Sequence, residues 1–167
     1  MVILEIEKLA QSYGALKVLT DISFSLQAGD RAALIGPNGA GKTTLFNVIS
    51  GFTPPSAGQI TLLGQDVTHM PTHTRVSLGL ARSFQISNLF PELSLLNNVL
   101  LAIQGIQTTR YQMFRQITAN KDNLTKAQAL LELIGLWEKR DDLISVLGHG
   151  EQRQMEIILS LATGPKI

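Results

Sequence analysis

One stretch constrains this chain more than any other: Gly36-Pro37-Asn38-Gly39-Ala40-Gly41-Lys42-Thr43. It fits the spacing G-x-x-x-x-G-K-[ST], and the chemistry explains why those residues stand at those intervals. Gly36, Gly39 and Gly41 permit backbone torsions that turn successive N–H groups inward around a polyphosphate. A helix opening at Gly41 or Lys42 adds its positive end. Lys42 neutralises charge on β- and γ-phosphates, and the Thr43 hydroxyl is a ligand for Mg²⁺. The plainer alternative is a glycine-rich turn carrying an exposed lysine. The flanks argue against it. Arg31–Ile35 is a near-continuous apolar run, the pattern of a strand buried on both faces. Lys42–Gly51 has helical spacing, with Leu45, Val48, Ile49 and Phe52 three and four residues apart.

Composition narrows the class further. The 167 residues are 44% hydrophobic and 16% charged, too apolar and too balanced for a disordered chain. Fourteen Lys and Arg stand against 13 Asp and Glu, so the net charge of +1 supplies no general attraction to nucleic acid or anionic membrane. With no cysteine, disulfides, thiolate zinc sites and cysteine nucleophiles are all excluded. No apolar run approaches the ~18 residues of a membrane span. Glu5, Glu7 and Lys8 interrupt the first residues, unlike a signal peptide. A soluble, cytoplasmic, globular protein is expected.

The order of elements is mixed in the first half and helical in the second. Val2–Leu9, Ile22–Leu26 and Gln59–Leu63 read as strands, and Thr53–Gly58 as a turn. Thr72–Leu80 reads as a short helix and Ala81–Gln85 as a brief strand. Helical spacing then runs through Leu95–Gln104, about Thr109–Ala119, Thr125–Ile134 and Glu151–Ala162. Asn123 or Thr125 is the expected cap of the third of these, and Gly135 its end. Asn120-Lys121-Asp122-Asn123 looks like a guanine-specificity motif, but its aspartate is one position early; GTP is rejected. His69 and His73 have the i, i+4 spacing of a zinc pair, yet Pro71 breaks the helix that would align them. Arg110, Arg115 and Lys121 read as a solvated face.

A phosphate loop alone leaves kinases, GTPases and transport ATPases open. The loop followed by Thr44, then Ser83-Phe84-Gln85, then Leu147-Gly148-His149-Gly150-Glu151-Gln152, resembles in order and separation the ABC-type ATPase subunits. More narrowly, Gly79-Leu80-Ala81-Arg82-Ser83-Phe84-Gln85 and Leu89-Phe90-Pro91-Glu92-Leu93-Ser94 are similar to subunits of branched-chain amino-acid and amide importers. The resemblance covers the whole chain. It implies an α/β fold: a P-loop NTPase core with a RecA-like parallel sheet, an antiparallel β subdomain and a helical subdomain. The expected division is 1–85 for the β-rich core and 86–162 for the helical part and signature helix.

The resemblance also assigns roles. Gly36, Pro37, Asn38, Gly39, Ala40, Gly41, Lys42, Thr43 and Thr44 would hold ATP, with Tyr13 stacking on adenine; on its own Tyr13 reads as a tyrosine ending a strand. Lys42 and Gln85 would be catalytic, and Thr43 and Gln85 would hold Mg²⁺. Gln85 would also link the site to a membrane subunit, beside the apolar Ile86, Leu89, Phe90 and Leu93. Leu147, Gly148, His149, Gly150 and Glu151 would meet the γ-phosphate held by a second ATPase subunit. Permease subunits and a separate solute-binding protein complete the expected partners, with no nucleic acid. The expected location is the inner face of the cell membrane, reached through the permeases.

Two departures stand out. The family usually has serine where Gly148 stands, a lost hydrogen bond of ~1.5–3 kcal/mol to a charged partner. The chain also ends at Pro165-Lys166-Ile167, where the family begins a strand closing in Asp-Glu. The expectation is therefore an N-terminal portion, its C-terminal strands missing, that does not turn over ATP by itself. The competing readings are a soluble ABC-type ATPase outside transport and an inactive nucleotide-binding fragment.

Overall fold

The computed structural model describes residues 1–82, 89–106 and 120–167. They form two compact units, Met1–Leu80 with Ile167, and Ala81–Lys166.

The first unit is built on an antiparallel sheet in the order β2-β1-β3-β4, comprising β1 (Val2–Tyr13), β2 (Leu16–Gln27), β3 (Ala57–Leu62) and β4 (Gln65–Asp66). In β1 the buried side chains are Leu4 and Ile6, then Leu9 and Gln11, so the alternation slips by one residue between Ile6 and Leu9. The slip is a bulge. Lys8 adopts φ 47, the pairing with β2 breaks at the same place, and the Lys8 amide donates to Ser23 Oγ at 2.8 Å. Opposite it, Gly58 has φ 90, and a Cβ there would lie 2.5 Å from the Lys8 carbonyl oxygen. Only glycine lets β3 approach a bulged strand this closely. Leu4, Ile6, Leu9, Ile60 and Leu62 form the core, and α1 (Lys42–Ile49) packs Leu45 and Val48 into it. The short helix α2 (Thr72–Leu78) ends at Gly79, φ 113.

Arg31–Ile35 is not the buried strand its composition predicts. It is irregular and exposed, with Ile35 90% accessible. A strand is a pairing before it is a composition, and this segment has no ladder partner among the described residues. Thr72–Leu80, Lys42–Gly51 and Gln59–Leu63 do form their expected elements, shorter or shifted by one to two residues at the ends. Residues 83–85 of the expected strand Ala81–Gln85, and the expected helix at 109–119, lie outside the described residues.

The second unit packs α3 (Leu95–Gly105), α4 (Lys121–Leu133) and α5 (His149–Ala162), with 3₁₀ turns at Trp137–Lys139 and Ile144–Val146. Leu95, Val99 and Ile103 meet Ala127 and Leu131, and Met155, Ile158 and Ala162, at the i, i+3, i+4 spacing of helix faces. Ser94 caps α3 through Asn97 N. The cap of α4 is Asn120, not Asn123 or Thr125. Its side chain accepts from the amides of Asp122 and Asn123 at 3.0 and 3.4 Å. Thr125 lies a turn inside, where its hydroxyl donates to the Lys121 carbonyl. Gly135 closes the helix as expected. At φ 71 it donates to Glu132 O while Leu136 donates to Leu131 O, the paired bonds of a Schellman ending.

Candidate functional site

The phosphate loop leads into α1 without any side chain closing the helix. Gly41 stands at the N-cap with φ 84, no side chain accepts the first-turn amides, and no acidic residue occupies that turn. Gly39 also has φ 84, and a Cβ on Gly41 would sit 3.0 Å from Leu19 Cδ2, so glycine at 41 answers both backbone torsion and close packing on β2. Residues 36–40 are exposed, as is Thr43, while Lys42 and Thr44 are half-buried. The Lys42 ammonium turns back over the loop and donates to the Gly36 and Pro37 carbonyls, both at 2.6 Å. The result is a positively biased helix end whose cap residue brings no side-chain acceptor, with one lysine folded across its mouth.

That donor set fits a polyphosphate, because Lys42 can exchange carbonyl oxygens for phosphate oxygens without leaving the loop. Thr43 offers a solvent-facing hydroxyl for Mg²⁺. Among the described residues no group of three or more His, Cys, Asp or Glu gathers to hold a metal. Tyr13 ends β1, 49% exposed, paired with Leu16 across the turn at Gly14-Ala15. Gln85, expected to be catalytic and metal-binding, lies outside the described residues, as does Ile86. Leu89 packs on the helical core and Phe90 is 56% exposed.

In the second unit the residues expected to form the signature open α5. Leu147 is buried in the helical core, and Gly148 is the N-cap with φ −66 and ψ 157. His149 and Gly150 are exposed. The Glu151 carboxylate reaches back to accept from the Gly148 amide at 3.1 Å and pairs with the Lys139 ammonium at 2.5 Å. This is half of a capping box, since Gly148 has no side-chain oxygen to return the bond. The Lys139 contact first, and the Gly148 amide second, hold the Glu151 carboxyl below its ordinary pKa; the same pairing raises Lys139.

Two buried polar side chains escape sequence reasoning. The Asn98 amide accepts from Phe90 N and donates to the Phe90, Leu93 and Ser94 carbonyls, pinning the 90–94 turn to α3. Arg75, on α2, is 1% exposed and sends its guanidinium to backbone carbonyls. A lone Asn or Arg in an amphipathic stretch reads as solvated, and nothing local marks either as buried.

The chain is similar to known proteins. The ABC transporter family profile matches residues 19–167. The high-affinity branched-chain amino acid transport ATP-binding protein LivG of Salmonella typhimurium is 35% identical over 99% of this chain and 67% of its own length. The lipopolysaccharide export system ATP-binding protein LptB of Haemophilus influenzae is 33% identical, over 99% of this chain and 65% of its own. Among solved structures, an ATP-binding cassette of an ABC transporter in its ADP conformation superposes with a TM-score of 0.83 at 30% identity, covering 99% of this chain and 66% of that one. The chain thus spans about two thirds of the length of the relatives it matches. On the profile match and these identities, the chain belongs to the ABC transporter family, as an α/β ATP-binding cassette of the ATP-hydrolysing class.

Proposed function

We propose that this chain is the nucleotide-binding portion of an ABC importer subunit that couples ATP to uptake of branched-chain amino acids or related amides. The single observation that carries the nucleotide reading is the uncapped, acid-free N-terminus of α1 with Lys42 lying over the loop carbonyls. ATP would seat its β- and γ-phosphates on the amides of Asn38–Gly41 and on Lys42, with Tyr13 against the adenine. Lys42 moves from carbonyl to phosphate oxygen, and Thr43 supplies a hydroxyl to Mg²⁺, the ion that neutralises phosphate charge when bound. Gln85 would orient the attacking water and signal to the permease.

The signature residues Leu147, Gly148, His149, Gly150 and Glu151 would complete the site of a second ATPase subunit. Permease subunits and a solute-binding protein would supply the path and the cargo. No described helix is long and apolar enough to cross a membrane. Membrane association would run through the permeases. The importer reading rests on LivG, named for branched-chain amino acid transport. A second reading, lipopolysaccharide export, has the support of the LptB relative at nearly equal identity.

Titration calorimetry with ATP tests the binding half: saturable binding to the 167 residues supports it, and none refutes it. A phosphate-release assay beside a version extended through the next family strands tests the hydrolytic half. Turnover by the longer chain alone is expected. Radiolabelled leucine uptake against lipopolysaccharide export in cells lacking the gene separates the two cargoes.

A further inference from the structure

Arg75 lies one element away from the phosphate loop and touches none of it. Its Nη1 donates to the Val48 and Ile49 carbonyls at 2.8 and 2.6 Å, its Nε to Met70 O at 3.0 Å and its Nη2 to Thr68 O at 3.1 Å. Val48 and Ile49 are the last residues of α1, a helix with no basic residue in its own final turn. Among the described residues no carboxylate lies within ion-pair distance of the guanidinium; burial depresses its pKa and the more distant Asp66 charge opposes that. The cation is thus held almost wholly by carbonyl oxygens at the negative end of the helix whose positive end opens the loop.

The surroundings are shaped to this clamp. Gly51 has φ 77, and a Cβ there would lie 2.8 Å from Arg75 Nε. Thr68, whose carbonyl takes Nη2, is fixed in turn: its hydroxyl donates to Asp66 Oδ1 and accepts from Ile60 N. Through Thr68 the guanidinium therefore links the C-terminal end of α1 to the β3–β4 hairpin of the sheet.

We infer that Arg75 is a positioning residue for phosphate binding, fixing the far end of α1 so that Lys42 keeps its aim. An eight-residue helix is about 12 Å long and moves as a rod, so a tilt at Ile49 is a displacement at Lys42. The inference rests on the nucleotide reading. Lysine at 75 keeps the charge but not the planar fork that reaches several carbonyls at once.

The test is a double-mutant cycle on the 167-residue chain, with ATP binding measured by calorimetry and folding by circular dichroism. If Arg75 acts through Lys42, Arg75→Lys weakens ATP about tenfold with Lys42 present and less than twofold in the Lys42→Ala background. Equal losses in both backgrounds, or no loss in a folded Arg75→Lys, overturn the inference while leaving the nucleotide reading intact. Absence of ATP binding by the unaltered chain overturns both. Should Arg75→Lys fail to fold, hydrogen exchange on the unaltered chain decides. ATP should slow exchange at residues 50–51 and 70–75 as well as at the loop, and slowing confined to 36–44 refutes the coupling.

Discussion

Two of the described helices open on glycine and differ in what they leave for a ligand. At α1 the cap is Gly41 with φ 84, the third helical residue is Thr44, and no acid sits in the first turn. At α5 the cap is Gly148 in an extended conformation, and the third helical residue is Glu151, whose carboxylate is bonded to the Gly148 amide and to Lys139. Both ends carry the same partial positive charge. One is left open, with a lysine over it, whereas the other is answered partly from within the protein. An anion arriving at α1 meets donors; at α5 the Gly148 amide is already bonded to the Glu151 carboxylate. One part of the difference is the residue at the third helical position, and exchange can test it.

The largest effect is expected from removing the cation at the open end. Lys42→Ala should cost about 1.5–3 kcal/mol of ATP affinity, the range for a lost charge-assisted bond. The same variant should change thermal stability little, since the bonds it removes from Gly36 and Pro37 are exposed. Calorimetry and a melting curve on one preparation check both statements. Undiminished ATP binding would remove the loop from the site.

Next comes conversion of the open end into the self-answered kind. Thr44→Glu places a carboxylate where α5 has Glu151, and it should steady α1 while lowering ATP affinity by about 1 kcal/mol. Thr44→Gln supplies the cap without the charge and separates the two effects. If the glutamine variant weakens ATP as much as the glutamate, loss of the threonine is responsible and the charge argument fails.

How much of this was legible beforehand follows from the range of each interaction. The loop, its glycines and the helix behind it are a local pattern, and Gly36–Thr43 announces them in order. Gly135 likewise ends α4 as its sequence says. Arg31–Ile35 does not become a strand, because apolarity is local and pairing is not. The cap of α4 is Asn120 rather than Asn123 or Thr125, since several polar residues in a row all suit a cap and only the folded backbone decides which one reaches the amides. The phase slip at Lys8 depends on Gly58, fifty residues away. Arg75 and Asn98 are illegible for the same reason: their carbonyl partners are backbone atoms, which leave no mark in composition. Gln85 lies outside the described residues, and its role stays where the resemblance put it.

The charge at α5 can also be titrated. Glu151 has a depressed pKa in the folded protein, so its contribution to stability is complete above its ordinary value of 4.5 and is lost as pH falls through the lowered one. Lys139 is raised, so its share is complete below 10.5 and is lost as pH climbs through the raised value. Glu151→Gln should therefore melt below the unaltered chain near neutrality, with the two curves converging in acid. Parallel curves down to pH 3 would show that the pair with Lys139 contributes nothing to folding.

The smallest change tests the geometry most narrowly. Gly148 has φ −66 and ψ 157, torsions any residue adopts, and an added Cβ would find nothing nearer than Glu151 Oε2 at 3.9 Å. Serine therefore fits, and its hydroxyl can accept from the Glu151 amide to complete the capping box. The gain over glycine at a cap is only a few tenths of a kcal/mol. The same exchange at Gly41 meets φ 84 and a Cβ 3.0 Å from Leu19 Cδ2, so it should destabilise. Opposite signs for one substitution at two glycine caps would show that α5 was built to be closed by a side chain and α1 to be left open. A loss of stability on Gly148→Ser, measured by urea unfolding at pH 7, would mean that its hydroxyl does not reach the Glu151 amide and that the half-box is not the arrangement at α5.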